Sequence, residues 1–203
     1  MELDNKSKLY NHEKLLKKDF AKLNYPIKNW VPKTLGPDKK PLIDVLVVGG
    51  GMNGLAAAFA LRAQGIQNIR QVDQQSSGYT GPWLNFARME YLRSPKHLTG
   101  PTLNIPNLTY RSWWEAVNSG HSWEDVGFIK REDWASYLRW FGKVTSSKIE
   151  HNSKVTNIEI GSTVKTTNFD PVSYYCVDLT KADNSLKSND KKTINRIYTR
   201  YIV

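Results

Sequence analysis

The residues with the clearest chemical potential are three glycines, Gly49, Gly51 and Gly54, which form the pattern G-x-G-x-x-G. An apolar run over 43–48 precedes them and an alanine-rich segment over 55–63 follows. In such a setting the first glycine permits a tight turn, the second lets a phosphate approach the backbone, and the third lets a helix pack closely on a strand. The unpaired N–H groups and the dipole at a helix start favour a pyrophosphate. The pattern therefore predicts a dinucleotide-binding turn.

An acidic residue stands where such a turn requires one. Asp73 follows Gly54 by 19 residues and closes a second short predicted strand that begins at Ile69. A carboxylate there accepts hydrogen bonds from ribose hydroxyls and disfavours a 2′-phosphate. Strand, turn, helix, strand and acid thus follow in the order of a right-handed βαβ unit. A glycine-rich turn without a ligand is the alternative interpretation.

The elements that must position this turn divide the chain into three parts. Residues 1–24 carry apolar side chains at helical spacing and predict a basic N-terminal helix. Residues 25–41 contain four prolines and predict an extended linker, which Trp30 pins to the domain surface. Residues 42–203 form the predicted dinucleotide-binding domain.

Beyond the βαβ unit, helices are predicted over 110–117 and over 131–145. The second has an apolar stripe and Asp133 as its N-terminal cap. Residues 155–160, 174–180 and 194–203 predict strands of a small antiparallel β-meander, with a polar loop over 181–192. The fold class is therefore α/β, a Rossmann-like sheet with a small meander. We expect it to be incomplete at the C-terminus, where an unfinished strand leaves an exposed sheet edge for self-association.

Composition excludes several classes of protein. With 203 residues, 39% of them hydrophobic and seven Trp among them, the chain suffices for one ordinary domain and is not a disordered protein. A single cysteine, Cys176, excludes an internal disulfide, and the four histidines lack ligand spacing, so no metal site is expected. No secretory or membrane segment is visible, which predicts a cytoplasmic protein without a membrane partner.

The net charge of +10 lies at the two ends of the chain. Residues 1–40 carry ten Lys against five acidic residues, and residues 181–203 carry six basic against two acidic. The segment between them is nearly neutral, with 13 basic and 12 acidic residues. Because nucleic-acid-binding modules concentrate positive charge on the central fold, this distribution indicates solvated tails and no nucleic-acid partner.

Several further segments resemble the N-terminal part of FAD-dependent oxidoreductases related to flavin-containing monooxygenases. The glycine motif occurs in many families, but its combination with a Leu-Arg-Ser-Pro-Lys segment is more restrictive. The helix predicted from residue 131 also resembles one in that family. The segments that carry the resemblance are Asn24-Tyr25-Pro26, Trp30-Val31-Pro32, residues 44–51, Gly81-Pro82-Trp83, Ala87-Arg88-Met89-Glu90 and residues 92–101.

The resemblance implies FAD as the cofactor, with the three glycines on its pyrophosphate and Asp73 on its ribose. It also implies that the 81–83 segment and Arg88 lie near the cofactor, and that the 93–96 loop lies beside the flavin ring. Surface salt bridges are the alternative for Arg88 and Arg93. The complete set of residues predicted to bind the cofactor is Gly49, Gly51, Met52, Asn53, Gly54, Asp73, Gln74, Trp83, Arg88 and Arg93.

The chain also departs from the family pattern. The second glycine motif, which such monooxygenases use for NADPH, has no counterpart, so NAD(P)H is implied for the parent enzyme while its motif is absent here. The Ala-Thr-Gly segment that should follow the last strand is absent too. We therefore expect the N-terminal portion of such an enzyme, either a cut chain or a truncated gene product.

The sequence is compatible with three functions. The first is the FAD-binding portion of a flavin-dependent oxidoreductase, a NAD(P)H-dependent monooxygenase acting on an unidentified small molecule. No catalytic residue is named for it, because the flavin performs the chemistry and no Ser-His-acid or Cys-His set stands out. The second is a non-catalytic dinucleotide-binding remnant. The third is a basic nucleic-acid-associated protein.

Overall fold

The structure is a computed structural model that describes residues 2–164, 171–181 and 194–203. The predicted polar loop over 181–192 lies, apart from its first residue, outside the described residues. The helices are α1 (Glu2–Lys22), α2 (Met52–Ala63), α3 (Tyr110–Val117) and α4 (Arg131–Val144). The strands are β1 (Ile43–Val48), β2 (Ile69–Val72), β3 (Ile149–Glu150), β4 (Ser153–Val164), β5 (Val172–Lys181) and β6 (Ile194–Ile202).

The strands form one six-stranded sheet in the order β3-β2-β1-β6-β5-β4. The pairs β3–β2, β2–β1 and β1–β6 are parallel, and the meander of β4, β5 and β6 is antiparallel. In β1 the run Val45, Leu46 and Val47 is buried, as expected for a strand covered on both faces. The predicted fold class, a Rossmann-like α/β sheet with a small meander, is confirmed.

The position of β6 corrects one prediction. We expected the last strand to leave an unpaired sheet edge, yet β6 lies between β1 and β5, and Val45 pairs with Tyr201. Among the described strands the two edges are β3 and β4. The longer edge, β4, exposes apolar side chains, because Ile158 is 48% and Ile160 is 84% exposed. Self-association through a sheet edge stays a prediction, and β4 is the longer edge available for it.

The helices pack around one aromatic core. Phe59 of α2 and Phe141 of α4 are fully buried and meet edge to face, with ring centroids 5.6 Å apart. Leu16 and Phe20 of α1 belong to the same buried cluster. The prediction that Asp133 caps α4 is wrong, because the N-cap residue is Lys130 and Asp133 lies in the first turn. The structure thus places α1 against the helices that flank the glycine turn.

Two contacts fix the proline-rich segment between α1 and β1. The indole N–H of Trp30 donates to the carbonyl of Gln64 at 2.7 Å, which confirms that Trp30 pins this segment. Arg200 of β6 donates to the carbonyl of Pro32 at 2.7 Å and forms an ion pair with Asp44 of β1 at 3.3 Å. Burial raises the pKa of Asp44, and the guanidinium of Arg200 partly opposes that rise.

Among the described residues, no helix combines the length and the apolar character that crossing a bilayer requires.

Candidate functional site

The glycine turn joins the end of β1 directly to the start of α2. Gly49 has φ +121°, a backbone conformation that favours glycine. Gly51 is the N-cap residue of α2, yet no side chain caps this helix and its first turn contains no acidic residue. Because the first N–H groups of a helix lack intrahelical partners, this end of α2 presents donors and a positive dipole end to an anion.

Three consecutive residues, the last two of β2 and the one that follows it, hold this turn in place. The carbonyl of Val72 accepts from the N–H of Gly49 at 2.8 Å. The side-chain amide of Gln71 donates to the carbonyl of Gly49 at 3.0 Å. The carboxylate of Asp73 accepts from the N–H of Gly50 at 2.6 Å. The turn is therefore fixed by the protein itself, before any ligand binds.

Asp73 is close to the predicted turn, as the dinucleotide interpretation requires. One oxygen of its carboxylate accepts from Gly50, and the other accepts from the N–H of Gln75 at 2.7 Å. The residue is 8% exposed and borders an open cleft. Since a carboxylate has about four acceptor positions, two N–H donors leave acceptor capacity for ribose hydroxyls.

Glycine backbones also face each other across the turn. A Cβ atom on Gly51 would lie 3.4 Å from the Cα atom of Gly81, and the reverse distance is the same. Gly54 packs so closely beneath the turn that a Cβ atom there would overlap the carbonyl of Gly49. The 81–83 segment, implicated only through the resemblance, thus packs directly against the glycine turn, and we call the surface without side chains along this contact the slot.

Clefts border the glycine turn on several sides, and two of them contain most of the predicted residues. The first, which we call the loop cleft, has a volume of about 490 Å³ and is bordered by the ends of β1 and β2. It contains four of the predicted residues, Gly49, Gly51, Asp73 and Gln74. Its complete lining is Val48, Gly49, Gly51, Val72, Asp73, Gln74, Gln75, Gly81, Pro82, Phe86, Ser153, Lys154 and Val155.

The second, which we call the aromatic cleft, has a volume of about 460 Å³ and includes the predicted residues Met52, Asn53 and Trp83. The rings of Trp83 and Trp134 meet edge to face, with centroids 6.2 Å apart. Both indole N–H groups are buried, and neither has a hydrogen-bond partner among the residues that the structure describes. Its complete lining is Met52, Asn53, Ala56, Trp83, Leu92, Ser94, Pro95, Leu98, Thr99, Gly100, Pro101, Ile129 and Trp134.

Two predicted residues are not brought into this arrangement. Arg88 and Arg93 are both exposed, and neither lines the loop cleft or the aromatic cleft. Their neighbours Ser94 and Pro95 do line the aromatic cleft. The roles of Arg88 and Arg93 in binding a cofactor therefore stay predictions.

Sequence reasoning did not identify Gln71 or the residues around Ser153. Gln71 lies between Arg70 and Val72 in a strand with two polar residues, so the sequence held no clear signal for its role. Ser153 donates its backbone N–H to the carbonyl of Asp73 at 2.8 Å, which brings β4 to the loop cleft. That contact depends on the sheet topology, which local sequence patterns do not contain.

The sheet, the glycine turn and the acid at the end of β2 together define a dinucleotide-binding protein of Rossmann-like class. The chain belongs to the FAD-NAD(P)-binding family, whose pattern matches residues 46–185. The resemblance inferred from the sequence is therefore confirmed at the level of the family.

Relatives in this family are FAD-dependent oxidoreductases. The chain is 35% identical to the FAD-dependent urate hydroxylase of Xanthomonas campestris pv. campestris over 147 residues, 72% of this chain and 31% of that protein. It is 40% identical to sarcosine oxidase subunit beta of Rhizobium meliloti over 68 residues, 32% of this chain and 16% of that subunit. The chain thus spans less than a third of each of these two proteins.

Solved structures show the same fold. An ornithine hydroxylase of Pseudomonas aeruginosa aligns with a TM-score of 0.57 and 18% identity, over 79% of this chain and 38% of that one. The ornithine N-hydroxylase of Kutzneria sp. 744 aligns with a TM-score of 0.55 and 20% identity, over 80% of this chain and 36% of that one.

Proposed function

We propose that this chain forms the FAD-binding part of a flavin-dependent monooxygenase that uses NAD(P)H. The observation that carries this proposal is the slot between Gly51 and Gly81 at the uncapped start of α2. Both backbones that border it lack side chains, so a ligand can approach them closely, and the N–H groups at the start of α2 lie beside it. A diphosphate bridge has the charge that such N–H groups bind.

The two clefts on either side of the slot fit the two halves of FAD. The loop cleft takes the adenosine, with Asp73 accepting from its ribose hydroxyls. The aromatic cleft takes the flavin ring, because it is lined by large apolar side chains and contains the unpartnered indole N–H groups of Trp83 and Trp134. Such donors complement the carbonyl oxygens and nitrogens of a flavin. When bound, the flavin supplies hydride acceptance and reaction with O₂.

The residues of this chain act by binding and orientation. Val72, Gln71 and Asp73 fix the glycine turn, the slot aligns the diphosphate, and the tryptophan pair shields one side of the ring from water. The relatives favour a monooxygenase, because a urate hydroxylase and two ornithine hydroxylases are among them. The oxidised substrate is an unidentified small molecule.

Titration of the purified chain with FAD, FMN and ADP, followed by calorimetry, tests the proposal. We expect FAD to bind more tightly than either fragment, since only FAD occupies both clefts. Gly51→Ala is the sharpest variant, because a Cβ atom there makes only an ordinary contact with Gly81 while it covers the backbone that the diphosphate would approach. It should preserve the apo fold and weaken FAD binding at least tenfold. Equal affinity for FAD in this variant would contradict the proposed slot.

Anaerobic addition of NADPH to the FAD complex distinguishes an enzyme portion from a binding remnant. Bleaching of the flavin absorbance indicates a chain competent for hydride transfer. An FAD complex that stays oxidised supports a dinucleotide-binding unit that requires further residues for turnover. We expect the second result, since the sequence contains no second glycine motif for the nicotinamide cofactor.

A further inference from the structure

Gln71 is a polar side chain in the interior of the sheet. It lies in β2, between Val47 of β1 and Ile149 of β3, and is 1% exposed. An apolar side chain of similar volume would be favoured there on grounds of stability, because a buried amide must replace every hydrogen bond that it made with water.

The amide of Gln71 is only half satisfied. Its nitrogen donates to the carbonyl of Gly49 at 3.0 Å, while its oxygen has no hydrogen-bond partner among the described residues. The orientation of the amide follows from chemistry, since a carbonyl only accepts and the nitrogen must therefore face Gly49. The side chain thus makes one bond to the glycine turn and leaves one buried amide oxygen without a partner, which is unfavourable for stability.

That bond completes the fixation of a single peptide group. Between Gly49 and Gly50, the carbonyl oxygen is held by Gln71 and the N–H by Asp73, at 3.0 and 2.6 Å. Gly54 provides the space for this arrangement, because a Cβ atom there would lie 3.2 Å from the amide nitrogen of Gln71 and would overlap the Gly49 carbonyl. With both ends fixed, the peptide plane cannot rotate, and this sets the direction of the chain that enters Gly51.

We propose that Gln71 is a positioning residue for dinucleotide binding, which orients the Gly49–Gly50 peptide so that the N–H groups at the start of α2 face the diphosphate. The inference rests on the proposed FAD site and assigns it a residue that does not itself touch the ligand. It has a distinctive consequence. Removing the amide improves or preserves the stability of the apo protein but weakens its affinity for FAD.

The test compares Gln71→Met with Gln67→Met in the full chain. Gln67 also donates its side-chain amide to backbone carbonyls, those of Ile27 and Arg62, at 2.6 and 3.1 Å, but it precedes β2 at the far end from the turn. Urea unfolding of the apo proteins and calorimetric titration with FAD are measured for both. We expect Gln71→Met to unfold at an unchanged or higher urea concentration and to bind FAD at least tenfold more weakly. Gln67→Met should show the opposite pattern, with lower stability and unchanged FAD affinity.

A second variant separates positioning from packing. In Gln71→Glu, a protonated carboxyl donates to the Gly49 carbonyl, whereas an ionised one repels it. Burial raises the pKa of such a carboxyl, so protonation occurs within an accessible pH range. We expect the FAD affinity of Gln71→Glu to recover towards the wild-type value as the pH falls from 8 to 5, more steeply than the wild type changes over roughly that range.

The outcomes distinguish this inference from the proposed function. If the wild-type chain does not bind FAD, the proposed function fails and the inference fails with it. If the wild type binds FAD and Gln71→Met binds it equally well, only the inference is overturned. A Gln71→Glu variant whose affinity follows the wild type at every pH overturns it as well, even if Gln71→Met does not fold.

Discussion

Gly54 lies directly against the carbonyl of Gly49, in a contact that leaves no space for a methyl group. The third glycine of the motif therefore has a packing role beneath the turn, while the N–H groups at the start of α2 face the slot. This contact joins α2 to the end of β1 and fixes the distance between the helix and the sheet.

Gly54→Ala should displace the turn and lower both stability and FAD affinity. Overpacking of this kind costs about 1–3 kcal/mol, because the atom that is struck belongs to the backbone and cannot rotate away. Chemical unfolding measures the loss. Gly127→Ala is the matched control, since a Cβ atom there meets nothing within 4 Å. Equal unfolding free energies for the two variants would contradict the packing role of Gly54.

Asp73→Asn should weaken FAD binding by about tenfold, equivalent to ~1.4 kcal/mol, while the chain stays folded. An asparagine has one carbonyl oxygen, so it can accept from Gly50 or from Gln75 but its amide nitrogen then faces the other N–H group. Calorimetric titration with FAD measures the effect. The exposed Asp125→Asn serves as the control and should bind FAD as the wild type does. An unaltered affinity in Asp73→Asn would remove this carboxylate from the site.

Arg200→Gln should destabilise the protein at neutral pH by about 3 kcal/mol, because it removes the guanidinium that pairs with the buried carboxylate of Asp44 and leaves that carboxylate the hydrogen bond to Asn68. The pKa of Asp44, already raised by burial, rises further once the opposing guanidinium is lost. A group with a raised folded-state pKa binds its proton more tightly in the folded state, so the deficit should shrink as the pH falls. Unfolding in urea at pH 7 and pH 4.5 tests roughly this window. Adding Asp44→Asn should restore part of the stability, and no restoration would argue against an unpaired charge.

His12 of α1 provides a second pH-dependent prediction. It is 9% exposed, its ring lies 5.7 Å from that of Trp140, and burial lowers its pKa from 6.5 despite the nearby acids Glu13, Asp19 and Glu115. Because the unfolded chain takes up a proton at higher pH, stability should fall as the pH drops below about 6.5. In urea unfolding, His12→Gln should lose less stability than the wild type between pH 7 and roughly pH 5. If the unfolding free energy falls with pH equally steeply in both proteins, His12 is not the cause.

The exposed edge strand β4 predicts concentration-dependent association. Ile160 is 84% exposed on a strand that pairs with β5 on one side and with no other described strand. Ile160→Lys places a charge on this edge, which is a common means of preventing strand pairing. Analytical ultracentrifugation should show a smaller associated fraction for Ile160→Lys than for the wild type. Ile194→Lys, on the internal strand β6, is the control. If both changes reduce the associated fraction equally, the cause is a general gain in solubility and not the loss of edge pairing.

The local elements of the site were predictable from sequence, whereas its assembly was not. The apolar run of β1, the glycine turn and the alanine-rich α2 each follow from short-range patterns, and the structure confirms them. The two-residue strand β3 has no periodicity to detect. The placement of β6 beside β1 depends on contacts between distant segments, as does the approach of Gly81 to Gly51. The hydrogen bond between Gln71 and Gly49 depends on the folded geometry, because a sequence does not show which way a side-chain amide points.

The pairing of β1 with β6 has a consequence for synthesis of the protein. Thr199 donates its hydroxyl to the carbonyl of Ile43, a residue translated 156 positions earlier. Until β6 leaves the ribosome, one flank of β1 has no strand to bond with, although the βαβ unit beside it is already translated. One flank of the apolar strand β1 therefore stays open to contacts with other proteins while the intervening residues are added. Closure of the long loop between β1 and β6 also slows folding.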